Sequence, residues 1–180
     1  MFVPLSLTNH QMKDSKDSND EGYDIFRDSA VRYLGYANEI GESFRYQFPK
    51  LVVPSYVVAF GYCAADAATS GYGIYQTGIQ TGSATAKVDS LVATADTLIW
   101  QSLASVTIPG ATINMVVKAS RFAVARSPVA LPVAVSTWFP TAAGLGSIPL
   151  IISPIDYAVD ELMDATFRKV EWPGASSAQQ

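Results

Sequence analysis

Thr97 to Val117, TLIWQSLASVTIPGATINMVV, is a run of twenty-one residues without a charge, set between Asp96 and Lys118. A helix needs about 20 predominantly apolar residues to cross the hydrocarbon core of a bilayer. This stretch is therefore the best single span in the chain, although Gln101, Asn114 and several Ser and Thr residues make it polar for one. Pro109-Gly110 predicts a kink or break. Such breaks are tolerated in membranes where neighbours satisfy the freed backbone groups. Asp96 lies in apolar sequence on both sides. An acid inside a membrane helix is costly and often functional; the plainer reading is an acid at the water interface that caps a helix.

Two more charge-poor stretches flank this one. Leu51 to Ala65 holds fifteen uncharged residues, and continuing past Asp66 to Ala68 brings it to spanning length. Between Arg126 and Asp156 lie twenty-nine uncharged residues, punctuated by Pro128, Pro132, Pro140, Pro149 and Pro154. The prolines predict a span from Trp138 to Ile155, with an interfacial segment before it. Thr141 to Ser147, TAAGLGS, offers small residues, Gly144 and Gly146 among them, for tight helix contact. The Gly- and Thr-rich stretch from Ser70 to Ala86 reads as a flexible connection.

The expected architecture is all-α: a multi-pass membrane helical bundle of about three spans, near 51–68, 97–117 and 138–155, with flanking amphipathic helices. Residues 1–22 read as a disordered polar tail, 23–170 as the helical membrane domain and 171–180 as a second tail. The first amphipathic helix covers about 24–48. Its apolar stripe is Phe26, Ala30, Tyr33, Ala37, Ile40, Phe44 and Phe48, at helical period, and Pro49 closes it. This stripe is expected to pack on the bundle or lie along the membrane surface. Gly35 and Gly41 each weaken an isolated helix by roughly 1 kcal/mol relative to Ala, so their presence inside a strong stripe points to close packing against another helix. The second amphipathic helix, about 156–170, has Val159, Leu162, Met163, Thr166 and Val170 on one face. Asp156, Asp160, Glu161 and Asp164 crowd its start, and Arg168 and Lys169 its end, matching the helix dipole.

Composition removes several function classes. Charged residues make up 16% of the chain, against roughly 25% in ordinary soluble domains. The net charge of −4 argues against a nucleic-acid partner, since phosphate recognition needs concentrated Lys and Arg. One cysteine, Cys63, and one histidine, His10, cannot build a Cys/His metal site or a nucleophile–histidine triad. No phosphate loop, dinucleotide fingerprint or pair of catalytic carboxylates is visible, so no catalytic residue, metal or cofactor is expected. The N-terminal sequence lacks the basic start of a secretory signal and the arginines of a cleavable mitochondrial presequence.

Charge also sets an expected orientation. The segment from Lys118 to Arg126 carries Lys118, Arg121 and Arg126 and no acid, and Arg45 and Lys50 precede the first span. Asp66 to Asp96 is net acidic. The positive-inside rule places the N-terminus and the 118–126 segment on one side, and three spans place the C-terminus on the other. Lys118, Arg121 and Arg126 are candidate contacts for anionic lipid head groups. Asp96 and Asp66, with Gly35, Gly41, Gly144 and Gly146, are candidate intramembrane or partner contacts.

Three stretches in order, RYLGYANEIGESFR (Arg32 to Arg45), DTLIWQSLASVTIPGATIN (Asp96 to Asn114) and IPLIISPIDYAVDELMD (Ile148 to Asp164) followed by Arg168-Lys169, resemble the mitochondrial fission process protein family. The resemblance runs from about Asp24 to Lys169. It implies a non-enzymatic, multi-pass protein of the inner mitochondrial membrane that promotes mitochondrial division and maintains inner-membrane integrity. It further implies the lipid bilayer and other inner-membrane proteins as partners and leaves the oligomeric state open; in an inner mitochondrial membrane, the side that the charges assign to the N-terminus is the matrix. Read from the residues alone, two other classes stay open. One is a transport or permeability function with Asp66 and Asp96 on a polar path. The other is a soluble helical interaction domain.

Overall fold

The computed structural model describes residues 34–175. The expected tail over 1–22, and the start of the first amphipathic helix with Phe26, Ala30 and Tyr33, lie outside the described residues. Among the described residues every regular element is helical. A short helix, α1 (Ala37–Ser43), leads through a 3-10 turn (Pro49–Leu51) into α2 (Val52–Gln80). Next come α3 (Ala86–Gln101), a π-helical segment (Ser102–Thr107) and α4 (Ile108–Ala125), which together form one rod of 40 residues. The last long helix, α5 (Val133–Ala165), ends in a 3-10 turn (Phe167–Lys169).

Three of these units, Pro49–Gln80, Ala86–Ala125 and Val133–Lys169, are long and apolar enough to cross a membrane. Short connections force an up–down–up order. Lys50, Lys118, Arg121 and Arg126 therefore gather at one end of the bundle, the basic end. The turn after α2 and the chain after α5 lie at the other. α2 packs along α3, α4 packs along α5, and α1 sits against α2, α4 and α5. The central rod changes partner midway, where the π segment falls.

The expected loop from Ser70 is instead the last three turns of α2. Gly71 and Gly78 are close-packing positions rather than breaks. A Cβ on Gly71 would run into Thr94 Oγ1 and come within 3.1 Å of the Ser90 carbonyl, and one on Gly78 would lie 2.5 Å from Ala86 Cβ. Ser90 Oγ donates to the Gly71 carbonyl at 2.7 Å, fixing the two helices in register. The real connection is a tight turn at 81–85. Gly82, at φ 71°, takes the left-handed conformation that L-residues avoid, and Gly82 N–H and Ser83 N–H return to the carbonyls of Ile79 and Gly78. This pairing is a Schellman C-cap.

Pro109-Gly110 does not break the rod. Proline leaves a carbonyl one turn back without a donor. The helix absorbs the misfit in the π segment immediately before it, a known use of π turns, and Asn38 Nδ2 donates to the Val106 carbonyl at 3.0 Å. Pro140, Pro149 and Pro154 likewise lie inside one continuous α5, which starts at Val133 rather than Trp138. No separate helix begins at Asp156. Val159 and Met163 extend the buried face of α5 and pack with Trp100 and Ala104.

The first amphipathic helix shows the sharpest difference. Its described part ends at Ser43, well before Phe48, and of the two placements expected for its apolar stripe the described residues fit the outward one rather than packing on the bundle. Ile40 is 46% exposed and Phe48 51%, whereas Asn38, Glu39, Glu42 and Ser43 are buried. The helix is inverted, polar side in and apolar side out. The long helices also leave much apolar surface outward: only 22, 28 and 11% of their most apolar stretches are buried within the bundle.

Candidate functional site

Two polar assemblies hold the bundle together, and the first is built on α1. Glu42 is 2% exposed and fully engaged. Its carboxylate accepts two hydrogen bonds from the Arg45 guanidinium, both at 2.7 Å. It also accepts from Asn114 Nδ2 at 2.8 Å and from the Tyr56 hydroxyl at 3.1 Å. One carboxylate thus ties α1 to α2 and α4. Burial alone would raise its pKa, but the donors from Arg45, Asn114 and Tyr56 outweigh burial and hold it below the ordinary carboxylate range. Gly110 permits this approach, since a Cβ there would collide with the Tyr56 hydroxyl and lie 3.0 Å from Asn38 Nδ2.

Glu39, one turn earlier, has the opposite environment. It is 1% exposed, and its Oε2 has no hydrogen-bond partner. Burial, with repulsion from Asp156 added, pushes its carboxyl up to about 8. A carboxyl raised in the folded state above its ordinary value of 4.5 favours folding while protonated. That contribution is complete below about 4.5, shrinks as pH rises and is gone above about 8. The unfolding midpoint of the detergent-solubilised chain is therefore expected to fall across this window. The slope from this residue is at most about 1.4 kcal/mol per pH unit. Glu39→Gln is expected to flatten that part of the profile and to be the more stable protein at pH 9. A wild-type slope that survives in Glu39→Gln would show that another group titrates.

The second assembly lies toward the opposite end. Arg168 Nε and Nη2 grip the Asp96 carboxylate at 2.8 and 3.1 Å, while Nη1 reaches Asp164 at 2.8 Å and Asp160 at 3.3 Å. Trp100 Nε1 donates to Asp160 at 2.8 Å. Asp96 is thus the acid half of a bidentate ion pair that joins α3 to the turn after α5. Asp66 accepts from Gln101 Nε2, a bond between α2 and the rod. The two acids singled out in the sequence are not brought to one site. Deeper in the bundle, Gln101 Oε1, Asp156 Oδ1 and Asn38 Oδ1 are buried without a hydrogen-bond partner.

The small residues divide by environment. Gly41 abuts Ser55, Gly35 lies within 3.2 Å of the Tyr62 ring at an added Cβ, and Gly144 faces Val117 and Ser43. All three serve contacts inside the chain. Gly146 faces open space and is left for contacts outside it. Cys63 is buried with Ala59 and Val106 in the apolar packing.

At the basic end, Lys118 and Arg121 lie on the last turns of α4, so the connection itself is 126–132 rather than 118–126. Lys50, Lys118, Arg121 and Arg126 make no ion pair among the described residues. The Arg121 guanidinium stacks 4.2 Å over the Tyr46 ring, and that of Arg126 4.4 Å over Phe122. An open cleft of about 390 Å³ is lined by Tyr46, Gln47, Arg121, Val124, Ser136 and Thr137.

Sequence reasoning missed Glu42 and Arg168, the hubs of the two assemblies. Arg168 was visible only as a helix-end cation. A signal for Glu42 existed: Asn114 is an uncompensated polar group inside an apolar run, and such groups need a buried partner.

A family model described as Mitochondrial 18 kDa protein (MTP18) matches residues 24–163. Three relatives carry the name Mitochondrial fission process protein 1. That of Danio rerio is 46% identical over 161 residues, 88% of this chain and 95% of the relative. That of Caenorhabditis elegans is 47% identical over 150 residues, 82% and 88% of the two chains. That of Homo sapiens is 48% identical over 148 residues, 82% and 87%. No solved structure matches.

Proposed function

The chain belongs to the mitochondrial 18 kDa protein family, and on that premise we propose that it is a non-enzymatic, multi-pass protein of the inner mitochondrial membrane. It promotes mitochondrial division and helps maintain the inner membrane. The relatives' name supplies the process. One observation supports the membrane: the three long helices turn large apolar side chains outward, and α1 turns its polar side inward. Val53 at 71% exposure, Leu91 at 70% and Leu150 at 75% face out from the three long helices, while Glu39 and Glu42 are interior. In water this arrangement would forgo roughly 1.5–3 kcal/mol for each large apolar side chain left exposed. In a bilayer the outer face needs no burial, and the interior must satisfy the polar groups.

The function proceeds through contacts rather than chemistry. The four cations at one end, unpaired among the described residues, support a matrix-facing basic end and N-terminus by the positive-inside rule, with the acidic end toward the intermembrane space. Carbonate extraction of mitochondria is expected to leave the chain in the membrane pellet. Protease treatment of mitoplasts is expected to remove a C-terminal tag and spare an N-terminal one. Recovery in the soluble fraction would overturn the membrane reading, and the reverse tag pattern would overturn the orientation alone.

A second reading has its own observation. Glu39, Gln101 and Asp156 place buried side-chain oxygens without partners inside the bundle, as a proton or solute path requires. Flux through vesicles reconstituted with the pure chain, abolished in Glu39→Gln, would favour transport over division.

A further inference from the structure

We propose that the cleft at the basic end binds the phosphate of an anionic phospholipid, with Arg121 as the principal ligand. The site rests on the membrane reading above and deepens it. Its walls are fixed by hydrogen bonds not available to a ligand. Gln47 Nε2 donates to the Thr137 carbonyl at 2.7 Å, and Gln47 Oε1 accepts from the Thr141 hydroxyl at 2.8 Å. Gln47 thereby clamps the turn after α1 onto α5 with both ends of its amide, and the cleft is set between that turn, α4 and α5.

The group left with unused hydrogen-bonding capacity is the cation. Arg45 and Arg168 are taken by carboxylates. Arg121 instead places its guanidinium carbon 4.2 Å from the centre of the Tyr46 ring. The contact draws the cation to the ring's π face, and its N–H fork makes no ion pair among the described residues. Such a fork matches two oxygens of a phosphate. Lys118 lies on the next turn of the same helix, and Arg126, held over Phe122, follows where α4 ends. Among the described residues no exposed acid offsets them at this end, because Glu42 is buried and already paired with Arg45.

The surroundings select a lipid over a free phosphate. Phe122, Trp138 and Phe139 are about half exposed near the cleft, and Val129 and Val133 are 68 and 81% exposed on the connection and at the start of α5. A free anion gains nothing from that surface. A phospholipid lays its acyl chains along it while the phosphate meets the guanidinium. Aromatic residues flanking a span, with basic side chains beside them, are the arrangement expected at head-group depth.

The test uses the full chain purified in a neutral detergent and titrated with phosphatidylglycerol, phosphatidylcholine or inorganic phosphate, following the unfolding midpoint. The expected result is stabilisation by phosphatidylglycerol at tenfold or more lower concentration than by phosphatidylcholine, weakened by salt. Arg121→Gln is expected to lose at least fivefold in apparent affinity for phosphatidylglycerol while unfolding at the wild-type temperature in phosphatidylcholine. Should that variant not fold, the lipid selectivity of the wild-type chain and of Arg126→Gln decides. No preference for phosphatidylglycerol overturns the proposal. So does a preference unchanged in both variants, and so does equal stabilisation by inorganic phosphate. The membrane reading fails separately, by release of the chain in carbonate.

Discussion

Gly144→Leu is expected to prevent the folded bundle from accumulating, whereas Gly146→Leu, two residues along the same helix, leaves it intact. The two substitutions add the same side chain to α5, so they share any effect of helix propensity or added hydrophobicity. They differ in what they meet. At Gly144 a Cβ alone would stand 2.7 Å from Val117 Cγ2 and 2.8 Å from Ser43 Oγ; at Gly146 nothing lies within 4 Å. Ser43 cannot swing away freely, since its hydroxyl donates to the Glu39 carbonyl at 2.8 Å. Leucine must therefore push α5 off both α1 and α4. Overpacking of a dense interior costs about 1–3 kcal/mol and occasionally more, and the upper part of that range applies where two elements must move. Thermal unfolding in detergent, with protein abundance in cells, reads the difference. Equal behaviour of the two variants would mean that the α1–α4–α5 junction is wrongly described.

Arg168→Ala is expected to destabilise by about 3 kcal/mol, more than loss of any one of its acid partners. It leaves the Asp96 carboxylate, 22% exposed, next to Asp160 with no cation between them. Asp164 contributes little, because at 64% exposure its attraction is screened. Asp96→Leu removes the charge as well as the pair, so the double variant Asp96→Leu/Arg168→Ala should be more stable than Arg168→Ala alone. This non-additivity is the signature of a coupled pair. If the two effects simply add, Asp96 is only a carboxylate near water and the tie from α3 to the end of α5 has no energetic weight.

The three long helices were legible in the sequence because charge is absent over long runs, and that absence is a property of each segment alone. The ends of those helices were not. Gly71, Gly73 and Gly78 read locally as breakers, yet Gly71 and Gly78 are where α2 and α3 approach too closely for any side chain. Tertiary packing overrode propensity there, as it did at Pro140, Pro149 and Pro154. The inversion of α1 was hidden for a different reason. Helical period identifies an apolar face, but which way that face turns depends on the surrounding solvent, so the bundle and the membrane surface were equally consistent with it. With hydrocarbon outside, Ile40 faces out and Glu42 faces in.

The polar sites were only half legible. Asp96 stood out as an acid in apolar sequence, but its partner Arg168 is 72 residues away, and no local pattern links them. Asp66 stood out likewise, and its partner Gln101 looked like one of several polar impurities in a span. The cations of the basic end were found by composition alone, because a run without acids is a one-dimensional signal. That Arg121 lies on Tyr46 above a walled cleft required the fold.

The most direct test of the central claim is the shape of the mitochondrial network in cells depleted of this protein and then supplied with it again. The account predicts elongated, overconnected mitochondria on depletion, restoration by the wild-type chain, no restoration by Gly144→Leu, and fragmentation when the wild-type chain is in excess. A network unchanged by depletion, with a changed inner-membrane conductance in the same cells, would contradict a role in division and leave the transport reading in its place.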